Sequence, residues 1–100
     1  MEQKERTWEY DCDLNFSGER ITKFTITDHW QKNHPEISQE LISKLVRELD
    51  EQEAELTNYL GVRKVFRWEI TYRKKRYRLI FWFKDKETSH LWIRNCYPID

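Results

Sequence analysis

RKVFRWEITYRKKRYRLIFWF, residues 63–83, alternates large apolar side chains with basic and polar ones and contains no Gly, Ala or Ser. A period of two sends successive side chains to opposite faces of a strand, so this run reads as strand, turn and strand. With Lys74-Lys75 at the tip of a hairpin, Phe66 faces Phe83, Trp68 faces Phe81, Ile70 faces Leu79 and Tyr72 faces Tyr77. That face is the expected core. The same register sets Val65, Arg67, Glu69 and Thr71 opposite Lys84, Trp82, Ile80 and Arg78, a reverse face of charges and aromatic rings. A Lys-Lys tip lacks the Asn-Gly or Asp-Gly signature of tight hairpins, which leaves room for a turn longer by a residue or two.

The polar turn KDKETS leads into a third strand, HLWIRNCYP, whose His90, Trp92 and Arg94 join the reverse face if the alternation continues. Upstream, WEYDCDLNF alternates Trp8, Tyr10, Cys12, Leu14 and Phe16 with polar residues, and Ser17-Gly18 ends that strand. KFTIT is a short extended run. Thr27 or Asp28 is then positioned to cap a short helix beginning near His29, which NHP (33–35) stops. From Ser38, the residues Leu41, Ile42, Leu45, Val46 and Leu49 recur at helical spacing. This helix either runs on to Leu60, with Gly61 as terminator, or breaks within DEQEAE. The expected fold is α+β, a single domain over residues 1–100, with helices packed on one face of an antiparallel sheet and a C-terminal three-stranded meander.

No window of the chain is apolar enough for a membrane span, and MEQKERTWEYDCD is charged where a signal peptide would be apolar. These features lead us to expect a cytoplasmic protein with no membrane partner. Cys12 and Cys96 are expected as free thiols, being too few and too far apart for a disulfide framework. The net charge of zero conceals a division: residues 1–60 hold 7 Lys/Arg and 14 Asp/Glu, and residues 61–100 hold 11 and 4. A basic module of this kind attracts phosphate unless the acidic part folds against it.

From Ile21 to Pro98 the chain resembles the small RelE/BrnT-like toxin superfamily. The resemblance is carried by ITDH (26–29), Ile37-Ser38 at the start of the next helix, the strand RYRLIFWF (76–83) and a last strand ending in Tyr97-Pro98. It implies a helical segment against an antiparallel sheet, action on RNA as a ribonuclease, and an antitoxin as partner. Relatives commonly place an arginine one turn after the histidine of ITDH, whereas Trp30, Gln31, Lys32 and Asn33 follow it here. The strand WEYDCDLNF has no counterpart in them.

Metal-independent RNA cleavage requires a base for the 2′-OH, an acid for the leaving oxygen and cations for the phosphate. His29, Glu69 and Arg94 are the candidates for those roles. Arg67, Arg78, Trp82, His90 and Trp92 are the candidates for RNA contact, with the tryptophans as stacking surfaces. Each has a plainer reading: His29 as a helix-end residue, His90 as a solvated strand end, His34 as part of a turn. The face as a whole is alternatively a seam for a protein partner or a second copy of the chain. Glu9, Asp11 and Asp13 would shield the arginines if the first strand lay beside them. The three histidines and two cysteines lack metal-ligand spacing, and two glycines form no phosphate loop, so no metal or nucleotide cofactor is expected.

Overall fold

The computed structural model describes residues 6–53, 58–60, 63–84 and 87–99. The strands are β1 (Thr7–Phe16), β2 (Glu19–Thr27), β3 (Asn58–Leu60), β4 (Arg63–Tyr72), β5 (Lys75–Lys84) and β6 (Glu87–Ile99), and the helix is α1 (Gln39–Arg47). They form a mixed sheet in the order β1-β2-β6-β5-β4-β3. The pairings are antiparallel except that between β2 and β6, which is parallel.

This corrects the expected α+β fold with helices on an antiparallel sheet and a terminal three-stranded meander. The described residues are mostly sheet, with one short helix among them, and β6 lies inside the sheet between β5 and β2. Leu91 and Ile93 of β6 are fully buried between the two neighbours, as are Phe24 and Ile26 of β2. The short helix expected at His29 is instead a series of turns, with Gln31 N–H donating to Asp28 O at 3.0 Å and His34 N–H to Trp30 O at 2.9 Å. Asn33, His34 and Pro35 supply little helix propensity, and Trp30, 1% exposed, anchors the segment in the core.

α1 begins where the periodicity predicts. The Ser38 hydroxyl accepts from the Leu41 N–H at 3.1 Å, a standard cap for one of the free amides of the first turn. It does not run on to Leu60. Glu51 adopts a positive φ of 63°, and its N–H donates to Asn15 O at 2.6 Å, so backbone bonding passes to the outer edge of β1. Gly61, the expected terminator, lies outside the described residues.

The sheet is strongly curled. Phe16 at the end of β1 meets Phe66 and Trp68 of β4 and Phe81 of β5 at ring-centroid distances of 5.6, 6.0 and 5.3 Å, although β2 and β6 lie between these strands. Its concave side holds the core, which the buried Ile42, Leu45, Val46 and Leu49 of and just after α1 close near β1 and β2. The convex side is the reverse face of the opening stretch.

The β4–β5 register differs from the expected one by two residues: Phe66 opposes Phe81, Trp68 opposes Leu79, and Tyr72 opposes Lys75. A two-residue slip preserves which side chains face inward, so the face assignment of each strand survives it. The turn is Arg73-Lys74, at φ 50° and 68°. Two consecutive left-handed residues suit the twist of a tight hairpin, and here they are reached without glycine.

Candidate nucleic-acid interface

Cross-strand partners share a face, so the convex surface is read from the register. β4 contributes Arg67, Glu69 and Thr71, which oppose Ile80, Arg78 and Arg76 of β5. On the other side of β5, Trp82 opposes Trp92, Ile80 opposes Asn95, Arg78 opposes Tyr97 and Arg76 opposes Ile99. Residue parity changes midway along β6, because the β5–β6 ladder shifts between Ile80 and Phe81 and leaves Arg94 as the extra residue. His90 and Trp92 precede this bulge on the convex face. After it, Asn95 and Tyr97 take that face and Cys96 turns into the core.

Tyr97 thereby enters a cluster that simple alternation conceals. Arg78 donates from Nη1 to the Tyr97 hydroxyl at 3.3 Å, with its guanidinium carbon 5.8 Å from the ring centroid. Its Nη2 donates to Glu69 Oε1 at 2.6 Å, and Arg76 donates to the other carboxylate oxygen at 2.9 Å. The Arg78 and Arg76 hydrogen bonds hold the Glu69 carboxyl below the ordinary carboxylate range, and Glu69 in turn holds the Arg78 guanidinium above its ordinary value. The His34 ring stacks on Tyr97, with centroids 6.3 Å apart and 25° between the ring planes. Sequence reading gave His34 a turn role and named Tyr97 only as the end of the last strand, not as a site residue; the bulge in β6 brings the tyrosine here.

A second aromatic position lies farther along the face. Trp92 is half-buried, and the Lys84 ammonium is 5.9 Å from its ring centroid. Trp82 opposite it is 9% exposed, and His90 is 3% exposed with Nε2 in a 2.7 Å hydrogen bond with the Thr25 hydroxyl. His90 is therefore a buried polar residue, not the solvated strand end of the plainer reading, and it does not offer its ring to a ligand at the surface.

The expected residues are thus divided. Arg67, Arg78, Glu69 and Trp92 share the convex face; Arg94 occupies the bulge, where its carbonyl accepts from the Thr27 hydroxyl at 3.0 Å. His29 is exposed in the turns after β2, with no hydrogen bond to the described residues. The condition for shielding by Glu9, Asp11 and Asp13, that the first strand lie beside the arginines, is not met. β2 and β6 separate β1 from β5, and Asp13 pairs with Arg20 of the adjoining strand at 3.2 Å. The carboxylate that does offset the arginines is Glu69, from the basic part of the chain itself. Arg67, exposed and opposite Ile80, has no ion pair with the described residues.

Among the described residues, no group of three His, Cys, Asp or Glu side chains has the placement to hold a metal ion. No helix among the described residues is long and apolar enough to cross a membrane. No protein-family model, curated protein or solved structure matches the chain, and these comparisons do not bear on the expected resemblance to RelE/BrnT-like toxins.

Proposed function

We propose that the convex face of the sheet binds single-stranded RNA. The observation that carries this reading is the association of cations with two half-buried rings, Arg78 at Tyr97 and Lys84 at Trp92, on one face. A base stacks on an aromatic ring while a neighbouring cation meets its phosphate, the combination that single-strand binders use without reading sequence. Arg67 and Arg76 extend the basic track on either side of Arg78. Binding is better supported than cleavage: Glu69 is committed to two arginines, which makes it a weak base at neutral pH, and His29 stands in a turn outside the strands that carry the cluster.

The test is a fluorescence-anisotropy titration of labelled single-stranded RNA at several salt concentrations, with RNA integrity checked on a gel. Replacing Arg67, Arg76 and Arg78 together by Ala is expected to weaken binding and to flatten the salt dependence by about 2 in log–log slope, as loss of three phosphate contacts requires. Unchanged affinity in that variant rules the reading out. Concentration-dependent self-association that buries Trp92, with no RNA affinity beyond that of a weakly basic surface, identifies the face as a homodimer seam instead. RNA fragments that disappear with the same variant would add cleavage to the activity.

A further inference from the structure

The concave side carries a second opening, separate from the RNA face. A cavity of about 320 Å³ lies between the first turns of α1 and the tip of the β4–β5 hairpin. Lys44 reaches it from the helix, and Arg73 and Lys75 reach it from the hairpin; Glu40 is the carboxylate among its lining residues, and Tyr72 and Tyr77 supply aromatic wall. Among the described residues, Lys44, Arg73 and Lys75 make no ion pair, and these three cations outnumber Glu40, the carboxylate in the lining. The Arg73 guanidinium stands 5.4 Å from the Tyr72 ring centroid, which places a cation beside an aromatic surface in the lining.

We propose that this cavity binds a nucleoside monophosphate. The volume lies at the lower end of the ~300–1,000 Å³ typical of small-molecule sites, which fits one nucleotide and not a chain. The three cations answer the phosphate, Glu40 accepts from ribose hydroxyls or a base amino group, and the tyrosines with Leu41 receive the planar base. The helix terminus adds little to the phosphate site, because the Ser38 hydroxyl already accepts from the Leu41 N–H. No glycine-rich phosphate loop announces such a site, since the cations come from a helix and a hairpin about thirty residues apart in sequence.

The experiment is isothermal titration of the full chain with adenosine 5′-monophosphate, adenosine and inorganic phosphate. Saturable one-site binding of the monophosphate is expected, with adenosine and phosphate each at least about tenfold weaker because each engages only part of the site. Lys44→Ala/Lys75→Ala is expected to lose about tenfold or more while its far-UV circular dichroism is unchanged, both positions being exposed. Arg67→Ala, on the convex face, is expected to bind the monophosphate as the parent does, which separates this site from the RNA face. Competition by a 5′-phosphorylated oligonucleotide assigns the ligand to a chain end; its absence assigns a free mononucleotide. No saturable binding by the folded protein, or equal binding by the double variant, overturns the proposal.

Discussion

Arg78 links Glu69 to Tyr97: one of its terminal nitrogens donates to the carboxylate at 2.6 Å and the other to the phenol oxygen at 3.3 Å. The link crosses three strands, from β4 through β5 to β6, and makes the middle of the convex face one electrostatic unit. If the proposed RNA reading holds, its carboxylate should oppose binding of a phosphate chain and its arginines should favour it. Glu69→Gln is therefore expected to raise RNA affinity by roughly threefold to tenfold at low salt and by less at high salt, measured by the same anisotropy titration. Equal affinity at every salt concentration would place RNA elsewhere.

The same carboxylate sets a direction for pH dependence. Its folded-state pKa lies below the ordinary carboxylate value, so the contribution of its ion pairs is present above the unfolded pKa of about 4.3 and is lost as pH falls through the lowered folded value. The stability advantage of the parent over Glu69→Gln in urea unfolding is expected to be largest near neutral pH and to shrink on acidification below that range.

Stacking is tested by Trp92→Ala and Tyr97→Ala. Base–aromatic stacking is worth about 1–3 kcal/mol per base, so each substitution is expected to weaken RNA binding by roughly tenfold with little change in the salt slope. Tyr97→Phe keeps the ring and removes only the hydroxyl that accepts from Arg78, and it is expected to retain most of the affinity.

Phe16 spans the curl of the sheet, fully buried and in contact with three rings of strands far from its own. Phe16→Ala is expected to cost about 3–5 kcal/mol in chemical denaturation, the range for a buried aromatic replaced by Ala. Phe16→Leu is expected to cost less, since most of the volume is kept.

The hairpin tip offers the opposite change. Arg73 and Lys74 both hold left-handed backbone, which costs roughly 1–2 kcal/mol per residue for L side chains other than Asn, Asp and Gly. Replacing them by Asn-Gly is expected to raise the denaturation midpoint by an amount equivalent to about 1 kcal/mol or more. The same substitution removes Arg73 from the cavity and is expected to weaken nucleotide binding.

Cysteine reactivity provides a check on the β6 bulge. Cys96 is fully buried, and desolvation pushes its thiol up to about 12, whereas Cys12 is half-buried and its Sγ donates to Ile21 O at 3.5 Å. A thiol-specific reagent at neutral pH is expected to modify Cys12 slowly and Cys96 only after unfolding. Rapid native-state modification of Cys96 would show that it does not turn inward after Arg94.

What the sequence by itself determined was local. Strict alternation in residues 63–83 separated the inward from the outward side chains of β4 and β5, a division that survived the two-residue change of register. Helical spacing after Ser38 located α1 for the same reason: both patterns repeat over neighbouring residues, where backbone geometry alone sets side-chain direction. The mixed sheet, the loss of the helix at His29 and the burial of His90 were tertiary decisions. They depend on which strand lies beside which, and the parallel β2–β6 pairing joins residues about 67 positions apart with no local signal. The candidate face shows the division most sharply. Arg67, Arg78 and Trp92 were legible from alternation, whereas Tyr97 reached Arg78 only because one extra residue at Arg94 reversed the alternation of β6, a choice made by packing Cys96 against the core.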